Sequence, residues 1–467
     1  MVLKLPLFKL SSFGAAGGNV NCDPTLSPGA FMSYDPRQGT EMELVPYDLA
    51  VGGRGVARTA DGMVVFVAGA LAGEKILAHL TRVRKDFLEA EAVEVREPSP
   101  LRVTPECPAY GRCGGCDLMH LAYNEQVKAK ATWVSKALRR LPGLPRVRLL
   151  ALPLPWGYRN RVRFQIRAGQ LGFFARASHE LVEVTRCPVA APEINVLLPR
   201  LAALLAVPEA AGLEWVEVLA TGGRAYLTLG GRAAPGPGWL SRLAALPGLP
   251  GPEAVRDQTV SAYSGRQPRP EGLIYYQHHG LTLRAWPGQF SQVNFTANEL
   301  LIGAVLEMAG SGEGRSCLDL YAGAGNLSLP LAHADWRVLA VECEGRAVGA
   351  AQSLARESGL EQQVEVVAGE TGLALRELAR QGQSFSLVCL DPPSSGAKGL
   401  MGDLERLCPQ RVIYVSCHPA ALGRDAGHLA EAGYRPTALT VVDMFPHTSH
   451  VEVALCLEHG YNFGSGS

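Results

Sequence analysis

The chain has 467 residues, 47% of them hydrophobic and 19% charged, with 44 basic and 44 acidic side chains. This length suffices for roughly two to four domains, each with its own core. The even charge balance singles out no partner, and no apolar run reaches the ~18 residues of a membrane span.

Eleven cysteines in a chain this long do not make the dense disulfide framework of a small secreted domain. A cytoplasmic location is expected, where clustered cysteines bind metal or react. The opening "MVLKLPLFKLSSFG" is interrupted by Lys4, Pro6 and Lys9, which argues against a secretory signal. A monomer is the default expectation.

Residues 1–40, rich in Gly, Ser and Pro, read as a flexible leader. From 41 to 97, short alternating runs such as "MVVFVAG" and "EKILAHLTRV" flank the glycine turn of "VGGRGVAR". The pattern predicts a small β-barrel, a common carrier of oligonucleotides.

Residues 98–286 read as a mixed α+β region. "CPAYGRCGGC" holds Cys107, Cys113 and Cys116, and "RCPV" adds Cys187. This spacing is a metal-site pattern, with Gly114 and Gly115 leaving the backbone free to fold around a centre. Zinc and an iron–sulfur cluster both accept four thiolates, and spacing does not choose between them.

A helix is predicted over "NEQVKAKATWVSKALRRL", then strands at "RVRFQIRAG" and "LGFFAR". Between Glu125 and Glu180 there are twelve Lys and Arg, including Arg159, Arg161 and Arg163, and no acidic residue. Interleaved aromatics such as Trp133, Trp156 and Phe164 complete a pattern suited to single-stranded nucleic acid. A basic helix beside an amphipathic strand, without a ligand, is the bland alternative.

From 287 to 459, strand-like runs alternate with helical ones: "SCLDLYAG", "WRVLAVEC", "QVEVVAGE", "FSLVCLDPP", "RVIYVSC", "VVDMFP" and "HVEVALCLE". This predicts a Rossmann-like, doubly wound α/β domain. Residues 460–467 read as a tail.

Four features of that domain carry chemistry. In "LDLYAGAGN" a strand ends at Asp319, Gly323 and Gly325 admit a ligand close to the backbone, and the next strand ends at Glu342. A carboxylate there holds ribose hydroxyls. Without a third glycine, S-adenosylmethionine is favoured over a nicotinamide dinucleotide. In "LDPPSS", Asp391 stands at another strand end before two prolines.

Cys417, in "YVSCHP", follows a strand, where nearby donors and turn amides are expected to favour a nucleophilic thiolate. Thiolate addition at carbon 6 of a pyrimidine makes carbon 5 nucleophilic toward a methyl donor. A base must then take the carbon-5 proton, and Glu452 is the candidate.

These motifs, with "YRNRVRF", "GQFSQVN" and "DMFPHTSHVE", resemble those of the RNA uracil-5-methyltransferase family over nearly the whole chain from Glu41. The resemblance implies an OB-like TRAM domain and a central domain with a [4Fe–4S] cluster on Cys107, Cys113, Cys116 and Cys187. It implies a C-terminal methyltransferase domain on which the helix region 119–150 packs. Cofactor contacts then fall on Gln292, Tyr321, Asn326, Glu342 and Asp391, with Glu370 where a further polar contact often stands. Cys417 becomes the nucleophile and Glu452 the base, with Phe290, His418 and Ser394 around the target base.

Two departures bear on the base pocket: His418 stands where asparagine is usual, and Ser394 where arginine is expected. Uridine in 23S ribosomal RNA is the favoured target, with cytidine or transfer RNA as alternatives, since the two pyrimidines differ only in donors and acceptors at positions 3 and 4. The rival class is a non-catalytic RNA-binding iron–sulfur protein. A DNA cytosine methyltransferase is disfavoured, because the Pro-Cys loop of those enzymes is absent.

Overall fold

A computed structural model of the chain describes residues 38–246, 255–257, 276–278, 281–283 and 291–460. Phe290, the leader before residue 38 and the tail after residue 460 lie outside the described residues.

The first unit is a six-stranded sheet of β1 (Glu41–Leu44), β2 (Asp48–Ala50), β3 (Arg54–Arg58), β4 (Val64–Ala68), β5 (Lys75–Val83) and β6 (Phe87–Glu97). Its order is β1-β5-β6-β4-β3-β2. Alternate residues Val65, Val67, Ile76, Ala78, Leu80, Leu88 and Ala90 point into one core, as the period of two requires.

Next come α1 (Tyr123–Leu138) and β7 (Arg148–Leu150), and then the central sheet. That sheet comprises β8 (Arg161–Arg167), β9 (Gln170–Phe174), β10 (Leu181–Glu183), β11 (Leu213–Thr221), β12 (Arg224–Gly231) and β13 (Val255–Asp257). Its order is β10-β9-β8-β11-β12-β13. Helix α2 (Pro192–Leu205) buries Ile194, Leu197, Leu198 and Leu201 in its core, and α3 (Pro237–Ala244) adds Trp239 and Leu243.

The third unit follows a small hairpin, β14 (Tyr276–His278) with β15 (Leu281–Leu283). Strands β16 (Ser316–Leu320), β17 (Arg337–Glu342), β18 (Val364–Ala368), β19 (Leu387–Leu390), β20 (Arg411–Ser416), β21 (Tyr434–Val442) and β22 (Glu452–His459) join β7 in one sheet. The order is β18-β17-β16-β19-β20-β22-β21-β7, with β16 the middle one of the five parallel strands. Helices α4 (Phe295–Ala309), α5 (Ser328–His333), α6 (Gly345–Glu357), α7 (Thr371–Arg380), α8 (Met401–Leu407) and α9 (Pro419–Glu431) accompany the strands. Two apolar clusters enclose the sheet.

The alternating α/β expectation holds, with two adjustments. The final strand β22 runs antiparallel to both β20 and β21. The strand read at "VVDMFP" begins earlier, at Tyr434, and stops at Val442, because Asp443 turns inward to pair with Lys130.

Helix α1 packs on this third unit. Val134 and Leu138 enter its core, and Gly423 of α9 lets the backbones close, since a Cβ there would sit 2.8 Å from the Ala137 carbonyl oxygen. Trp133 Nε1 also donates to the Leu49 carbonyl (2.8 Å), joining the first unit to the same helix.

Part of the acid-free basic run is paired in three dimensions. Lys130 pairs with Asp443, Lys136 with Asp48, Arg148 with Glu307, and Arg161 and Arg163 with Glu217. These counter-charges come from distant segments of the chain. Among the described residues no helix is long and apolar enough to cross a membrane.

Lys130 and Asp443 are both buried, with Nζ 2.6 Å from Oδ1 and 2.8 Å from the Phe445 carbonyl oxygen. Removing one partner of such a pair strands the other charge. Lys130→Met is expected to destabilise the protein by about 3–5 kcal/mol, read as a lowered urea midpoint. Adding Asp443→Leu should recover most of that loss; an unchanged midpoint in the single variant would contradict the assignment.

Candidate active site

The C-terminal ends of the parallel strands β16, β17, β19 and β20 lie side by side at one end of the sheet, where α/β folds form their ligand cleft. At the end of β16 Asp319 is buried and accepts from the Ser328 hydroxyl, and burial lifts its carboxyl to about 7. Tyr321 follows with φ 63°, a conformation costly for a residue with a Cβ. It opens the turn to Gly323, whose own φ is 56° and which faces open space.

Glu342, at the end of β17, accepts from the Gly323 amide (2.9 Å) and from the Glu344 amide (2.8 Å). The predicted glycine turn and carboxylate therefore meet. Gly325, at φ 92°, packs on Leu329 instead.

The remaining expected cofactor residues are engaged locally. Asn326 exchanges hydrogen bonds with Asn298 of α4 at 2.8 and 3.1 Å, a partner the sequence reading missed. Exposed Glu370 caps α7, accepting from the Gly372 and Leu373 amides, and these donors hold its carboxyl below the usual range. Gln292 is half-buried just before Asn294, which caps α4 and donates to the Met444 carbonyl (2.9 Å).

The register of the last three strands brings the reactive candidates together. Ser416 pairs with Val453, and Val442 with Glu452. Cys417, one residue beyond β20, thus lies across from Glu452, the first residue of β22. Asp391 follows β19, next in the sheet, and its amide donates to the Leu320 carbonyl at 3.4 Å.

Burial, with Glu452 and Asp391 adding negative charge, pushes the Cys417 thiol up to about 11. This corrects the expectation of nearby donors favouring the thiolate. Burial and Asp391 likewise drive Glu452 well above its ordinary range, while burial lifts Asp391 to about 6. Three acids held close together around buried Glu452 do not all ionise readily, so protons are retained there at neutral pH.

His418 is accounted for by its backbone. Its Nδ1 accepts from the Ala421 amide (3.1 Å) and caps α9. An asparagine oxygen would make the same bond, so the departure at 418 keeps the cap.

Ser394 is exposed in the loop after Asp391. That loop is held by residues the sequence reading missed. The Ala397 amide donates to Asp425 (2.9 Å), and Arg424 donates to the Ser395 carbonyl (3.0 Å). Gly396, at φ 78°, fits where a Cβ would meet both side chains at 2.6 Å.

A second site lies in the central unit. Cys107, Cys113, Cys116 and Cys187 line one cavity of about 430 Å³, together with Arg159, Arg176 and Arg186. Burial raises the Cys113, Cys116 and Cys187 thiols, and neighbouring cysteines push the same way, while Arg159 opposes. Among the described residues no group of three or more His, Cys, Asp or Glu is arranged to hold a single metal ion. Arg159 thus faces the cysteines. Arg161 and Arg163 share Glu217, with Arg163 also over the Trp215 ring at 4.2 Å.

Comparison with known proteins gives two family matches: a TRAM domain over residues 39–93 and tRNA (Uracil-5-)-methyltransferase over residues 274–460. The protein from Alkalilimnicola ehrlichii named 23S rRNA (uracil(1939)-C(5))-methyltransferase RlmD is 35% identical over 441 residues, covering 87% of this chain and 95% of its own length. Its namesake from Halomonas elongata is 37% identical over 447 residues, covering 89% of each chain.

The crystal structure of Pyrococcus abyssi tRNA (uracil-54, C5)-methyltransferase with S-adenosyl-L-homocysteine shares the fold. Its TM-score is 0.69 at 22% identity, covering 89% of this chain and 100% of that one. On the strength of these full-length matches, the chain belongs to the RNA uracil-5-methyltransferase family, with a TRAM domain ahead of its methyltransferase domain.

Proposed function

We propose that this protein methylates carbon 5 of a uridine in 23S ribosomal RNA, using S-adenosylmethionine, through a covalent intermediate on Cys417. The observation that carries the reading is the strand register that sets Cys417 across from Glu452, with Asp391 alongside. The ribosomal target is supported by the names of relatives that match most of the chain.

The Cys417 thiol gives up its proton to water and the thiolate adds to ring carbon 6. Carbon 5, now enolate-like, takes the methyl group that the cofactor's sulfonium supplies. Glu452 removes the carbon-5 proton, the carbon 6–sulfur bond breaks, and the thiolate is restored with the ring's double bond. Glu452 must be ionised to accept that proton. Its buried, acid-rich setting makes it a strong base once it is ionised. Gly323 leaves room beside the Glu342 carboxylate, which fits a ribose at that turn. Gln292, Tyr321 and Asn326 border the same cleft as further cofactor contacts.

We favour a [4Fe–4S] cluster on Cys107, Cys113, Cys116 and Cys187 over zinc, because the four thiols line one cavity of about 430 Å³ while no group among the described residues is arranged to hold a single ion. Such a cluster would tie Cys187 to the distant 107–116 loop. The TRAM unit and the central sheet then serve to present RNA to the cleft. The chemistry also accommodates cytidine, so base identity is part of the test.

Glu452→Gln should trap an RNA–protein adduct that survives a denaturing gel, and Cys417→Ala should abolish both adduct and product while RNA still binds. Mass spectrometry of the product RNA should show 5-methyluridine; 5-methylcytidine, or turnover by the glutamine variant without adduct, would refute the reading. The raised Cys417 thiol gives a second expectation. Its iodoacetamide alkylation in the free enzyme, followed on the Cys417 peptide, should rise about tenfold per pH unit from pH 7 to 10. A plateau near neutrality would contradict it.

A further inference from the structure

Between β21 and β22 the chain makes the loop 443–451, and its last residues set the position of Glu452. The first half of the loop is held by α1 and α4: Lys130 takes Asp443 and the Phe445 carbonyl, and Asn294 takes the Met444 carbonyl. Gln126 of α1 also accepts from the His447 amide at 2.9 Å, and the residues nearest Glu452 are held by Asp117. Asp117 Oδ2 accepts from both the Ser449 amide (2.9 Å) and the Ser449 hydroxyl (2.5 Å). The Asp117 and Leu118 amides both donate to the His447 carbonyl, at 3.0 and 2.9 Å.

Asp117 is the residue directly after Cys116, and its remaining polar atoms are also engaged. Its Oδ1 accepts from Arg176 (3.0 Å), and its carbonyl accepts from the Tyr110 hydroxyl (2.8 Å). Tyr110 and Arg176 both line the cysteine cavity. Gly53 of the first unit presses on the same residue, since a Cβ there would lie 2.7 Å from the Asp117 carbonyl oxygen. His447 has φ 66°, so the loop holds a backbone conformation that its anchors must maintain.

We infer that Asp117 is a positioning residue for Glu452: its bonds to Ser449 and His447 fix the base-bearing loop to the cysteine-rich segment. The inference rests on the proposed roles of Cys417 and Glu452. A carboxylate that accepts two bonds from one serine holds that serine in place more firmly than an amide or a water can. Glu452, three residues on, acts only after methyl transfer. Loosening the anchor should therefore slow proton removal while leaving the earlier steps largely intact.

The test uses RNA carrying tritium at carbon 5 of uridine and separates methyl incorporation from tritium release in a single turnover. Asp117→Ala and Ser449→Ala should keep the rate of methyl incorporation within about twofold of wild type. Both should slow tritium release about tenfold, so that adduct accumulates, and Asp117→Asn, which keeps one acceptor, should recover much of the loss. Iron content and near-400 nm absorbance should stay unchanged in Ser449→Ala, which alters no residue of the cysteine cavity.

Equal slowing of both steps, or no slowing in either variant, would overturn the inference. If Asp117→Ala loses iron or does not fold, Ser449→Ala decides alone by the same criterion. Glu452→Gln is the control: if it traps adduct while neither anchor variant separates the two steps, only this inference fails. If it traps none, the inference falls with the reading beneath it.

Discussion

The antiparallel pairing of β22 with β20 is the constraint on which the active centre depends. A parallel strand in that position would carry Glu452 to the far edge of the sheet. Reversed, β22 begins where β20 ends, so Glu452, its first residue, lies across from Cys417, the residue just beyond β20. The cost of that arrangement is the loop 443–451, which must return the chain within a few residues and is anchored by Lys130, Asn294, Gln126 and Asp117.

Burial gives the cleft its chemical character. Burial raises Cys417, Glu452 and Asp391 alike; Asp391 adds its negative charge against Glu452, and both carboxyls add theirs against the thiol. In the free protein this keeps the thiol largely protonated, a safeguard against unwanted oxidation or alkylation. A cationic methyl donor entering beside three acids would reverse that balance, since opposite charge favours the ionised forms. Under the proposed mechanism, Cys417 is activated by the arrival of the co-substrate, and among the described residues burial, Glu452 and Asp391 all act against its thiolate beforehand.

Much of this was legible in the sequence because strand ends and glycine turns have local signatures. Asp319, Gly323, Glu342, Asp391, Cys417 and Glu452 all fall at or just beyond strand termini, where α/β sheets gather their ligands. Pairing partners were not legible. Nothing near Asn326 in the chain points to Asn298, and nothing near Asp391 points to Asp425 or Arg424.

The basic run between Glu125 and Glu180 shows the same limit, since the counter-ions of Lys130, Arg148, Lys136, Arg161 and Arg163 lie far off in sequence at Asp443, Glu307, Asp48 and Glu217. His418 shows the opposite case. A residue that looked like a change in base recognition performs the capping bond an asparagine would make.

RNA in which the target uridine is replaced by 5-fluorouridine tests the central claim most directly, because fluorine cannot leave carbon 5 as a proton does. The account predicts that wild-type protein, given such RNA and S-adenosylmethionine, stalls as a covalent complex. Digestion should then yield one modified peptide, with the methylated fluoropyrimidine attached through carbon 6 to the sulfur of Cys417. Recovery of unmodified Cys417 peptide with methylated RNA, or attachment at any other cysteine, would contradict it.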